Sequence, residues 1–202
     1  AFISGGLFYI LFGIYFVYEL AKKKMARRNW DTIYRDDEWF DIVDPEGNVK
    51  GRAPRTICHS GPGMLHSVVH LHIVDNKNRI FLQKRLKTKK IQPGKWDTAV
   101  GGHVNSGESV EDALKRETAE ELNIVDIKTS FIGKYIWETP IESELVHIYI
   151  ARYNKSITVN PDEIEEGKYW KIKKLKEMVG QGILTPNFEQ EFKLITDLVL
   201  QY

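Results

Sequence analysis

The sequence predicts an α/β fold, a mixed β-sheet covered by helices, and three observations carry that prediction. Segments with strand-like alternation or β-branched enrichment are interspersed with segments of helical periodicity. Clusters of Gly, Pro, Asn and Asp punctuate them. Of the 202 residues, 42% are apolar before the 15 glycines are counted, which fits one globular domain with an appendage and excludes a disordered or collagen-like chain. Twenty-nine Lys and Arg against 28 Asp and Glu give a formal charge of +1, with no broad basic field for gripping duplex nucleic acid. The single cysteine, Cys58, cannot form an internal disulfide and is compatible with a reducing compartment.

The chain divides into an apolar segment, 1–24, and a domain, 25–202. Residues 2–18 carry no charge and seven aromatics, the short end of what crosses a bilayer as a helix. Lys22, Lys23, Lys24, Arg27 and Arg28 follow, and this flank would hold the domain on the cytoplasmic side of an anchoring membrane. A cleaved signal peptide fits worse, because the charges follow the apolar run and no small-residue cleavage site is visible. The other readings of 1–24 are extraneous sequence before Met25 or a buried apolar helix.

Residues 36–54 alternate around WFDIV and turn at Asp44-Pro45-Glu46-Gly47-Asn48, which is hairpin chemistry. Strands are expected at Leu65–Val74 and Arg79–Arg85, joined by a turn at 75–78, and a short strand runs from Trp96 to Val100 into Gly101-Gly102. Ser109 to about Asn123 reads as a helix, with Ser109 and Asp112 placed like a capping box. Further strands are expected at Ile127–Trp137 and Glu144–Tyr153, an edge strand at Lys168–Ile172 after an acidic loop at 161–167, and helices at Leu175–Val179 and Phe188–Leu200.

The chemistry concentrates in GHVNSGESVEDALKRETAEELNI, residues 102–124. On a helix, Glu117, Glu120 and Glu121 stand at i, i+3 and i+4 and share one face, while Val110, Leu114, Thr118 and Leu122 form an adjacent stripe suited to packing on a sheet. Crowded carboxylates repel by about 0.2–0.5 kcal/mol per i, i+4 pair. A hard cation removes that penalty, and Mg²⁺ typically takes carboxylates together with substrate phosphate oxygens. A solvated acidic face is the ordinary reading of an isolated ExxEE.

The wider spacing changes the balance. Gly102, five residues, Glu108, seven residues, Arg116-Glu117, two residues, Glu120-Glu121 resembles the Nudix box. Thr118 stands at an apolar position of that pattern and Asn123 at its glycine, and neither departure touches a carboxylate. The resemblance implies an α/β/α sandwich with a mixed sheet. It also implies Mg²⁺, with Mn²⁺ as a substitute, held by Glu117, Glu120 and Glu121, and Arg116 paired with Glu108. Glu121 is a candidate base. The implied reaction is attack by water on a small-molecule diphosphate; homodimerisation is an expectation at family level only.

A narrower resemblance, to type I isopentenyl diphosphate isomerases of the same superfamily, rests on QKRLKTKKIQPGKW and DTAVGGH. Those enzymes surround a metal with three histidines and two glutamates, and His59, His66, His103, Glu142 and Glu144 occupy the matching order here. His66, His70 and His72 share one face of their expected strand, so another histidine choice stays open. Arg85 and Lys89 correspond to diphosphate-contacting positions of that branch. Gly101 stands where the isomerases place an essential cysteine, and glycine moves no proton. The favoured expectation is therefore a hydrolase of a nucleoside diphosphate or related metabolite, ahead of an isomerase and of a membrane-tethered phospho-ligand sensor. Trp39, Trp96, Trp137 and Trp170 are candidates for a ligand-stacking wall, against the commoner role of core residues.

Overall fold

A computed structural model describes residues 30–201. The apolar run at 2–18 lies outside them; among the described residues no helix is long and apolar enough to cross a membrane. Among the described residues nine strands form one mixed sheet. In chain order the elements are β1 (Trp39–Val43), β2 (Val49–Pro54), α1 (Arg55–Cys58), β3 (Leu65–Val74), β4 (Arg79–Arg85), β5 (Trp96–Asp97), β6 (Val100–His103), α2 (Val110–Leu122), β7 (Ser130–Glu138), β8 (Ser143–Arg152), β9 (Ile164–Lys171), α3 (Ile172–Met178) and α4 (Pro186–Gln201).

Strand β3 organises the sheet. Along its whole length it pairs in parallel with β8, which pairs antiparallel with β7. Its other edge is shared by β1, β6 and β4, all antiparallel. Buried on both faces, LHSVVHLHIV places six apolar residues among three histidines and a serine. Val69, Leu71 and Ile73 point to the face covered by α2, packing with Leu114 and Leu122. Val68 and Val74 point to the opposite face, where Leu175 and Met178 of α3 and Phe188, Phe192 and Ile195 of α4 close the second core. The expected α/β/α sandwich is thus present, with a core on each side of the sheet.

The departures from expectation are local. The strand predicted at 168–172 begins at Ile164, because the acidic segment thought to be a loop pairs with the edge of β4 while its charges face outward. The short strand expected at 96–100 is two, β5 and β6. Helix α1 carries no periodicity long enough to read. The capping box is half formed: Ser109 Oγ accepts from the Asp112 N–H at 3.1 Å, but the Asp112 carboxylate accepts from the Ser109 hydroxyl rather than from its backbone.

Helix α2 ends at Asn123 in the left-handed region, φ 55°, with its N–H donating to the Ala119 carbonyl and its Nδ2 to the Thr158 carbonyl. Asn123→Ala is expected to destabilise the fold by about 1–2 kcal/mol, the cost of a Cβ in this conformation without Asn's local bonding. Asn123→Gly should be nearly neutral. Urea-unfolding midpoints of the two variants check this.

Candidate active site

The loop from β6 into α2 places the acidic face of the helix along a cavity of about 410 Å³ at one end of the sheet. Thr118, whose hydroxyl donates to the Leu114 carbonyl, and Leu114 fix the buried side of α2. One side of the helix therefore seats while Glu117, Glu120 and Glu121 line the cavity. Arg116 ties the motif together: Nε and Nη2 donate to the two oxygens of Glu108 at 2.9 Å, and Nη1 donates to Glu117 at 2.7 Å and Glu120 at 3.1 Å. Nη2 also reaches the His103 carbonyl. Those hydrogen bonds hold the Glu108 carboxyl below the usual range.

One oxygen of Glu117 and one of Glu120 stay outside the Arg116 contacts. Glu121 is buried, and a single oxygen accepts from Gln83 Nε2 at 3.0 Å and from the Gly101 N–H at 3.3 Å. Burial and the neighbouring Glu117 push the Glu121 carboxyl well above its ordinary pKa, and burial raises Glu117 as well. Three close oxygen donors, two of them costly to ionise alone, suit a hard cation.

The second predicted cluster also assembles. His59, His66 and His103 have ring nitrogens within 4.8 Å of one another. His66 Nδ1 donates to the Met64 carbonyl at 2.8 Å, which turns the Nε2 lone pair inward, and that buried nitrogen has no hydrogen-bond partner. His59 Nε2 and His103 Nε2 stand 3.1 Å apart. The parallel register that sets His66 beside Glu144 brings in the carboxylates: Glu142 lies 3.9 Å from His59 and Glu144 lies 3.7 Å from His103. Phe40, fully buried, stacks on His103 and His66 and orients both rings. Desolvation lowers all three imidazoles, His59 to about 4, and burial with Glu142 pushes Glu144 up to about 7. Neutral imidazoles, an orphaned buried nitrogen and two carboxylates form a donor set that fits a divalent ion of mixed N/O preference. His70 and His72, the alternatives left open by the sequence, turn instead to Glu191.

Arg85 and Lys89 border the cavity, Arg85 donating to Asp97 at 3.0 Å and Lys89 to Glu163 at 2.9 Å. No tryptophan lines it, so the expected stacking wall is not built. Trp96 and Trp170 meet edge to face in the core beneath Lys168, Trp137 packs on the same core, and Trp39 lies in a separate groove beneath the Arg52 guanidinium. Burying a large ring outweighs presenting it to solvent. Sequence reading missed Gln83, Asp97, Glu163 and Glu191. The first three carry no local signal; Glu191 does, as an acid inside an apolar helical stripe.

The family model of the NUDIX domain matches residues 64–188. Isopentenyl-diphosphate Delta-isomerase 2 of Photorhabdus laumondii is 30% identical over 151 residues, covering 72% of this chain and 84% of that protein. An uncharacterized Nudix hydrolase, orf19, of Rhodococcus erythropolis is 31% identical over 150 residues, covering 69% and 80%. Among solved structures, DR0079 of Deinococcus radiodurans superposes with a TM-score of 0.65 at 23% identity, covering 81% of this chain and 98% of that one, a likeness of fold. With the box residues gathered on one cavity wall and the family model spanning most of the chain, the protein belongs to the Nudix family.

Proposed function

We propose that this chain is a Mg²⁺-dependent Nudix hydrolase that cleaves a diphosphate linkage in a nucleoside diphosphate or a related diphosphate metabolite. The observation that carries the reading is the convergence of Glu117, Glu120 and Glu121 on the cavity that Arg85 and Lys89 also border. Those glutamates would hold the metal, which when bound supplies neutralisation of phosphate charge and a more acidic water. Arg85 and Lys89 bind phosphate oxygens, the first as a fork and the second as a point charge. Water attacks phosphorus, the P–O bond to the departing phosphate breaks with its electron pair, and Glu121 is our candidate to accept the proton. Its place on the cavity wall beside Glu117 and Glu120 supports that role.

The His59, His66, His103, Glu142 and Glu144 cluster favours a second reading, isopentenyl diphosphate isomerisation, and several similar proteins carry that name. Gly101 argues against it, because it stands where the isomerases place a cysteine and glycine moves no proton. A panel of diphosphate compounds that includes isopentenyl diphosphate, incubated with Mg²⁺ or Mn²⁺ and scored by products, separates the two. Hydrolysis is expected, with kcat falling about 10²–10⁴-fold in Glu120→Gln. Full activity in that variant would remove the assignment of this helix face. Conversion of isopentenyl diphosphate, abolished by Glu117→Gln, would transfer it to the isomerase reading. Binding without turnover would favour a sensor.

A further inference from the structure

One polar wall of the cavity has no task in the hydrolase reading. His70 and His72 project from β3 toward α4 and meet Glu191, which is 2% exposed on a helix otherwise apolar at that face. One Glu191 oxygen accepts from His70 Nδ1 at 2.7 Å and from the Tyr135 hydroxyl at 2.7 Å; the other accepts from His72 Nε2 at 2.5 Å. A buried acid with three donors from two strands is a built arrangement, since an unpaired one would be strongly disfavoured. Its geometric result is that His70 Nδ1 must carry a hydrogen, which leaves Nε2 as the outward atom.

That outward edge reaches the cavity. His70 is 8% exposed, lines the cavity, and its Nε2 makes no hydrogen bond among the described residues. A Cβ built on Gly101 would stand 3.7 and 3.8 Å from Cδ2 and Nε2, so the bare backbone there leaves the ring edge open. The other cations bordering the space donate to carboxylates: Arg85 to Asp97, Lys89 to Glu163, Arg55 to Glu38 and Arg116 to Glu108.

We propose that His70 is a substrate-contacting residue whose Nε2–H donates to a phosphate oxygen of the bound diphosphate compound, and that Glu191 is the positioning residue that fixes the ring for it. Burial alone would drive this imidazole neutral, but the charge and hydrogen bond of Glu191 outweigh it and raise the ring to about 9, with Asp97 and Glu144 adding to the field. With Glu191 favouring the charged ring, Nε2–H faces the cavity as a donor. It suits an anionic oxygen, and His70 stands apart from the His59, His66 and His103 cluster. The contact is available in the ground state, so it supports binding as much as reaction.

The activity arm rests on the hydrolase reading; the binding arm does not. Imidazole ¹⁵N spectra of the full chain with Mg²⁺ are followed while inorganic pyrophosphate is added. The His70 Nε2 signal, assigned by its loss in His70→Gln, is expected to shift, and pyrophosphate affinity to fall about 10-fold in that variant. In the hydrolysis assay, His70→Gln should lower kcat/KM about 10- to 100-fold, mainly through KM. Glu191→Gln, assayed below its melting midpoint, should give a smaller loss of the same kind with a wild-type metal dependence. Pyrophosphate that binds without moving the His70 signal, or fails to bind at millimolar concentration, overturns the proposal, as does an unchanged KM in a folded His70→Gln protein. If no compound of the panel is hydrolysed, the hydrolase reading falls while the pyrophosphate titration still decides the role of His70.

Discussion

Alanine at position 102 should yield a folded protein that has lost nearly all metal-dependent hydrolysis. Gly102 lies on β6, paired with Val69 of β3, and its backbone is not in the left-handed region, so the substitution carries no dihedral penalty. The conflict is with a side chain: a Cβ on Gly102 would overlap the carboxyl group and Cγ of Glu117. Glu117 can swing away, which spares the fold, but Arg116 holds it at 2.7 Å, and any escape moves an oxygen of the proposed metal-binding set off the helix face. A displacement of about 1 Å is enough to cost roughly 10²-fold in rate. Hydrolysis should therefore fall by at least about 10²-fold, saturation by Mg²⁺ should shift to higher concentration, and the melting midpoint should change little. Gly101→Ala provides the structural comparison, because its Cβ meets only ordinary contacts at 3.7 Å and beyond, and it should fold equally well. Undiminished turnover in Gly102→Ala would show that Glu117 does not need its observed position.

The contrast between these two glycines marks where the sequence could be read. The box was legible because the spacing from Gly102 through Glu108 to Arg116-Glu117 and Glu120-Glu121 resembles a known pattern, and β3 because β-branched residues recur in a run bounded by turn signals. The joining of His66 to Glu144 was reached only through the resemblance, since physically it depends on the parallel register of β3 with β8 across a long crossover. The network around His70 depends in turn on how α4 packs on the sheet. Its local trace was nevertheless present: Phe188, Phe192, Ile195 and Val199 form an apolar stripe that contains Glu191, and an acid inside a buried stripe demands a partner. The tryptophans misled in the opposite sense, because Trp96 and Trp170 gain more from mutual edge-to-face burial than from presentation to a ligand. Residues 161–167 read as a loop because charge dominates them; 161–163 do form a turn, while 164–167 join an edge strand, which tolerates outward charge on the side away from the core.

Glu191→Gln should be the most destabilising single conservative change in the polar interior, and its effect should depend on pH in a defined direction. Removing one partner of a buried ion pair costs about 3–5 kcal/mol because the remaining charge is left unpaired. For a chain of this size that is roughly 10 °C in melting midpoint. The groups facing His70 are Glu191 from α4, Tyr135 from β7, His72 from β3, and Asp97 and Glu144 from neighbouring strands. His70 is raised from about 6.5 unfolded to about 9 folded, so its stabilising contribution is complete below pH 6.5 and is lost as pH climbs to 9. Despite burial, His70 and His72 hold Glu191 far below its ordinary 4.5, so its contribution is complete above that value and is lost as pH falls further. Both are whole only between about 4.5 and 6.5, and there the gap between wild type and Glu191→Gln should be widest. Melting curves from pH 5 to 9 should show the gap narrowing as His70 deprotonates in the wild type, without vanishing, because the neutral ring, His72 and Tyr135 still donate to the carboxylate. A gap that stays constant across that range would mean that His70 is neutral throughout, and the cationic wall of the cavity would then be absent at every pH where the enzyme works.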